Sequence, residues 1–188
     1  MRSSASLSRR AAIGALALLA APLLHAQGAA PPELQAALPG ARLQGSGRLR
    51  FLGFRVYDIR LWAATPVAAA GVASMPLALE IEYLRSLVGR QIAERSLVEM
   101  RRQAAIPDAQ ADRWLAQLTA LIPDVKEGDR LTGVQLPGEA TQLFFNGSLK
   151  GEVRDADFTR LFFGIWLSPR SSEPALRDAL LGPLRSPT

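Results

Sequence analysis

The stretch Gly45–Ala63, GSGRLRFLGFRVYDIRLWA, is the longest run of strand-forming residues in the chain and constrains the fold more than any other. Leu49 and Phe51 alternate with Arg48 and Arg50, and Gly53 interrupts. The alternation resumes with Arg55, Tyr57, Ile59 and Leu61 opposing Phe54, Val56, Asp58, Arg60 and Trp62. A period of two with β-branched and aromatic residues specifies a strand. Both faces carry large apolar side chains, so this strand is expected inside a sheet covered on each side, with Gly53 marking a bulge or a close backbone approach. Arginine, aspartate and tyrosine then fall on a largely buried surface. There they need partners or a cleft, because an unpaired buried charge is costly enough to shift its own protonation.

The 188 residues, 48% hydrophobic and 21% charged, suit one globular domain with a sizeable core. Residues 1–26 are read as standing apart from it. Arg2, Arg9 and Arg10 precede the apolar run Ala11–Leu24, no acid occurs there, and Ala26 supplies the small residue of a cleavage site. These are the marks of a secretory signal. The run is broken by Gly14 and Pro22 and is shorter than the roughly 20 residues a spanning helix needs. The mature protein is therefore expected to be periplasmic, without a stable membrane span. Ser8-Arg9-Arg10 leaves the twin-arginine route open beside the general one.

Cleavage after Ala26 removes three arginines and lowers the formal charge from +5 to +2, too little to suggest a nucleic-acid partner. It also removes His25, the only histidine, from a chain with no cysteine. Serine–histidine triads, thiol nucleophiles and the usual zinc sites are thereby excluded. No dinucleotide fingerprint follows Gly45-Ser46-Gly47, since Arg50 stands where the third glycine belongs, and there is no Walker loop. No cofactor and no metal are expected.

In order, residues 27–42 read as a flexible lead-in with a helical turn at Glu33–Leu38, and Ala64–Met75 as a loop or weak helix. Pro76–Arg85 reads as a strand with Leu79, Ile81 and Tyr83 on one face. Glu80 and Glu82 share the other, expected to be a solvated face in preference to a catalytic pair. Val88–Ala105 has the spacing of an amphipathic helix, and Asp108 begins another that runs through Leu121. Asp124–Arg130, DVKEGDR, lacks the ordered ligands of a calcium loop and reads as a charged turn. Leu131–Leu136, Thr141–Phe145 and Ser148–Val153 form an antiparallel meander, with Asn146-Gly147 a hairpin signal. Asp155 or Asp157 starts an apolar helix ending at Leu167, and Ser171 or Ser172 caps a last one ended by Gly182. Residues 183–188 form a short tail.

Gly45-Ser46-Gly47-Arg48-Leu49-Arg50-Phe51, Val56-Tyr57-Asp58, Gly128-Asp129-Arg130-Leu131, Phe144-Phe145-Asn146-Gly147, Phe162-Phe163-Gly164-Ile165-Trp166-Leu167 and Leu180-Leu181-Gly182 occur together and in order. In this the chain resembles the exported bacterial branch of the chalcone isomerase-like family, over residues 43–182. The resemblance implies an α+β open-faced β-sandwich, a large antiparallel sheet with helices layered on it and a ligand cleft between. It also implies two functional precedents. The plant isomerases use a cleft arginine after a Gly-x-Gly segment, which either Arg48 or Arg50 matches, and a threonine upstream of the Val-Tyr motif, where Leu52 stands here. Loss of that hydroxyl removes part of the network that orients substrate and moves the expectation away from catalysis. Non-catalytic members bind fatty acids, with an arginine and a tyrosine on the ligand carboxylate. Arg50 with Tyr57, or Arg48 in place of Arg50, is the corresponding expectation here. The expected function is an exported, non-catalytic binding protein for a small hydrophobic carboxylate such as a fatty acid. An isomerase or lyase of chalcone-isomerase type, or a structural envelope protein, is the alternative.

Overall fold

The computed structural model describes residues 29–182. The expected signal segment and the tail lie outside the described residues. Six strands form one sheet in sequence order: β1 (Arg42–Phe51), β2 (Phe54–Ala63), β3 (Leu77–Tyr83), β4 (Arg130–Leu136), β5 (Ala140–Phe145) and β6 (Ser148–Val153). Every neighbouring pair is antiparallel. Helix α1 (Pro32–Ala37) precedes β1, α2 (Gly89–Arg101) and α3 (Asp108–Leu121) join β3 to β4, and α4 (Ala156–Leu167) and α5 (Pro174–Leu181) follow β6. A short 3₁₀ helix, Ala69–Ser74, links β2 to β3. This is the expected α+β open-faced sandwich. Its core joins Ile59, Leu61, Leu79, Ile81 and Leu143 of one sheet face, the inner one, to Trp114 of α3 and Phe158, Phe162 and Phe163 of α4.

The stretch expected to be one strand is a hairpin. Phe51 pairs with Phe54, and the two residues between them, Leu52 and Gly53, have φ of 48° and 82°. Positive φ at both central residues is what a type I′ turn requires, and its usual residues are Asn and Gly. Leucine there costs on the order of 1 kcal/mol, because its Cβ crowds the following carbonyl. The bulge expected at Gly53 lies nearby. Leu49 opposes Tyr57 and Arg50 opposes Arg55, so Val56 is the extra residue of β2. The close approach is made by Gly45 and Gly47, where any Cβ would meet the Leu180 carbonyl and the Leu176 side chain of α5.

The helical turn expected at Glu33–Leu38 is α1, and it covers the outer face: its fully buried Leu34 packs with Trp62, Ala78 and Val134, so this part of the lead-in belongs to the domain. Beneath it Glu80 is only 3% exposed. One of its oxygens accepts from Trp62 Nε1 at 2.8 Å; the other lies 3.4 Å from Arg60 and 3.5 Å from Arg130. Arg130 Nη2 and Thr132 Oγ1 both donate to Glu33 Oε1 at 3.0 Å, and Arg60 also reaches Glu82 at 3.0 Å. Glu80, read as solvated, is thus a covered member of an ion-pair network, while Glu82, its side chain 35% exposed, stands at the edge of that network.

The local acids serve backbone groups. Asp124 accepts from the Gly89 N–H at the start of α2, and Asp129 from the Lys126 N–H and Asn146 Nδ2, which holds Asp129 below the usual carboxylate range. Asp155 caps α4 through the N–H groups of Asp157 and Phe158, and its second oxygen accepts from Trp114 Nε1. Two expected caps differ: Pro107 precedes α3, leaving Asp108 paired with Arg101, and Glu173 precedes α5 while Ser171 Oγ accepts the Glu173 N–H.

Candidate functional site

Between the inner sheet face and the helices lies a cavity of about 430 Å³. The sheet contributes Leu49, Phe51, Tyr57, Ile81 and Tyr83; α4 contributes Phe162, Ile165 and Trp166. Tyr57 and Tyr83 are cross-strand partners, edge to face with ring centroids 6.2 Å apart. Helix α2 adds Ile92, Arg95, Ser96 and Glu99, and Ser172 and Glu173 line the cavity from the segment before α5. Ser96 gives its hydroxyl proton to the Ile92 carbonyl at 2.8 Å, so this small residue leaves space without leaving an unmet donor.

The polar groups of the cavity are few. Trp166 Nε1 donates to Tyr57 Oη at 2.8 Å, and the Tyr57 O–H has no acceptor among the described residues. Burial pushes the Tyr57 phenol up to about 12 and raises Tyr83 as well, because a phenolate loses its hydration there. Both therefore stay neutral at ordinary pH, as donors. Arg95 is largely exposed, and its Nη2 lies 2.5 Å from Oε1 of Glu99, which is only 6% exposed. No N–H is directed at that oxygen, so it makes an ion contact without a hydrogen bond. Arg102 Nε lies 3.5 Å from the other Glu99 oxygen. Arg85 also lines the cavity, with its guanidinium 5.6 Å from the centroid of the Phe54 ring. Among the described residues no group of three or more acidic or histidine side chains could hold a metal.

The structure separates the three residues expected to bind ligand. Tyr57 faces the cavity. Arg48 and Arg50 point from the other side of β1, where they line an open outer groove with Asp58 and Arg60. Arg48 makes a bidentate pair with Asp58, Nε to Oδ1 at 2.5 Å and Nη2 to Oδ2 at 2.8 Å. Arg48 and Arg50 alternate with Leu49 and Phe51, and those two apolar residues take the inner positions. An arginine cannot join Tyr57 from β1 without a change of phase, which the bulge at Val56 introduces only in β2. The cationic groups that do reach the cavity, Arg85 and Arg95, carried no motif; Arg95 lies unremarked within the span read as an amphipathic helix. Leu52 lies outside the cavity, 81% exposed at the turn.

The fold and cavity can be set beside known proteins. A protein of Haemophilus influenzae described as uncharacterized is 29% identical over 152 residues, covering 80% of this chain and 73% of its own. The crystal structure of a fatty-acid binding protein of Arabidopsis thaliana superposes with a TM-score of 0.59, covering 76% of this chain and 87% of its own. At 14% identity that likeness is one of fold. The sequence pattern of the chalcone isomerase-like family matches residues 28–182, from just before α1 to the glycine that ends α5. The chain belongs to the chalcone isomerase-like family.

Proposed function

We propose that this protein is an exported, non-catalytic binding protein for a small hydrophobic carboxylate, with a fatty acid the best-fitting class. The observation that carries the reading is the cavity: apolar walls, a neutral phenol with a free O–H, and arginines at Arg85 and Arg95. Its volume falls within the roughly 300–1,000 Å³ of small-molecule pockets. The acyl chain lies against Ile81, Phe162 and Ile165, and the carboxylate is held by Arg95 with Tyr57 in place of the Arg50 pairing. Arg95 keeps its guanidinium N–H donors available, because its contact with Glu99 is an ion contact without a hydrogen bond. A phenol pushed to about 12 is a poor base at neutral pH and a good donor, which favours holding an anion over abstracting a proton. The Arabidopsis fatty-acid binding protein shows that this fold accommodates such a role. Export rests on the arginines and apolar run of residues 1–26.

The test is native mass spectrometry of protein recovered from the periplasmic fraction, with extraction and identification of whatever is released, followed by titration with palmitate. A stoichiometric apolar acid, and Arg95→Ala weakening palmitate roughly tenfold or more, are expected from loss of a charge-assisted hydrogen bond. A protein that is empty and takes up no palmitate refutes the reading. Amino-terminal sequencing checks export separately, with Gln27 expected as the first residue.

A further inference from the structure

The turn between β1 and β2 is chemically unlike a surface turn. Residues 50–55, Arg-Phe-Leu-Gly-Phe-Arg, are all exposed. Phe51, Leu52 and Phe54 are 64%, 81% and 65% exposed, which places three large apolar side chains together in solvent. Leu52 also occupies the left-handed conformation that asparagine or glycine adopts without strain. The other two-residue hairpin has that chemistry: Asn146 and Gly147, with φ of 49° and 84°, join β5 to β6.

Arg50 and Arg55 stand directly opposite one another behind the tip, a like-charge cross-strand pair that is unfavourable in isolation. Arg85 lies against Phe54. The nearby outer-face acids are already engaged, Asp58 by Arg48 and Glu82 by Arg60. An apolar wedge backed by unneutralised arginines matches a surface that is apolar inside and anionic outside. A second copy of this chain would bring the same arginines against these. Phe51 and Arg85 also line the cavity, so the wedge stands at its mouth.

We propose that the Arg50–Arg55 turn is a docking wedge for an anionic phospholipid bilayer, with Phe51, Leu52 and Phe54 entering the interface and Arg50, Arg55 and Arg85 meeting headgroup phosphates. The cavity mouth then faces the membrane. The proposal goes beyond ligand binding and is tested without any cavity ligand.

Because the chain contains no cysteine, Leu52→Cys labels the tip alone. The chain from Gln27 onward, carrying a polarity-sensitive dye at this site, is titrated with phosphatidylglycerol vesicles and with phosphatidylcholine vesicles. A blue shift is expected with the first, weakening as salt rises, and little with the second. Arg50→Gln with Arg55→Gln should weaken that binding roughly thirty-fold. Leu52→Asn, which suits the turn, should keep the fold and weaken vesicle binding in sedimentation. Absence of a shift with phosphatidylglycerol overturns the proposal. So does an equal response to both vesicles that the arginine changes leave untouched, or a shift that follows protein concentration without vesicles and marks self-association.

Discussion

The two faces of the sheet solve the burial of polar groups in opposite ways. On the outer face, Glu33, Glu80, Arg60, Arg130, Thr132 and Trp62 close on one another beneath α1. On the inner face, the strands meet a space in which the Tyr57 O–H has no protein acceptor and the Glu99 Oε1 no hydrogen-bond donor. A satisfied buried network positions an element; an apolar cavity with a few polar groups on its wall suits a ligand. Charged residues are more numerous on the outer face, yet the cavity lies on the inner one.

The largest expected effect lies in the outer network. Glu80→Ala leaves the Trp62 N–H without its acceptor and removes a carboxylate shared by Arg60 and Arg130. Breaking such a group should cost about 3–5 kcal/mol in denaturant unfolding, whereas Glu80→Gln keeps an acceptor for Trp62 and costs less. The folded fraction should bind palmitate as before. A cost below about 1 kcal/mol would show that the outer face does not depend on Glu80 for the burial of its polar groups and that the contrast between the faces is overstated.

Tyr57→Phe should act on the inner face. It removes the ligand's donor and the acceptor of Trp166 Nε1, so affinity should fall about five- to tenfold, with roughly 1–2 kcal/mol of stability lost from the unpartnered indole. Unchanged affinity would remove Tyr57 from the site. An alkaline titration sharpens the point, because the chain's two tyrosines, Tyr57 and Tyr83, both line the cavity. Their ultraviolet transition should start well above the free-tyrosine value of 10.0, with Tyr57 near 12. Both groups are raised in the folded state, so the unfolded chain releases these protons first. Stability is therefore retained below pH 10 and lost as pH rises through the folded values. A transition centred at 10 would mean that the cavity is wet.

How much of this was legible depends on whether local chemistry matched local geometry. Asn146-Gly147 announced its hairpin because both residues tolerate positive φ, and the β4–β6 meander followed. Leu52-Gly53 makes the same kind of turn with the wrong first residue, so two strands read as one. The same misreading hid the turn that now stands out at the cavity mouth. The Asp155 cap and the apolar surface of α4 were local and readable. The partners of Glu80 were not: Glu33 and Arg130 come from distant parts of the chain, and a strand with alternating acids looks the same whether water or a helix covers it. For the site, Tyr57 was reachable from the Val-Tyr motif. Arg95 was not, since one arginine of an amphipathic helix differs from its neighbours only in what the fold sets opposite it.

The smallest expected effect separates the faces most cleanly. If Arg48 or Arg50 held the ligand, replacing it would weaken palmitate binding; their place in the outer groove predicts that Arg48→Gln and Arg50→Gln leave the affinity unchanged. For Arg48 the cost should appear as a small loss of stability, because the pair it forms with Asp58 is partly exposed and screened by salt. That cost should depend on pH in a definite sense. The hydrogen bond from Arg48, with its charge, holds the Asp58 carboxyl below its ordinary 3.8, so the unfolded chain takes up this proton first as acid is added. The pair's contribution is present above that ordinary value and disappears as pH falls through the lower folded value, where wild type and Arg48→Gln should converge. A difference in stability that persists below the folded value would assign Arg48 a packing role in place of an electrostatic one. A loss of palmitate affinity in either variant would return the carboxylate to β1 and overturn the assignment of Arg95.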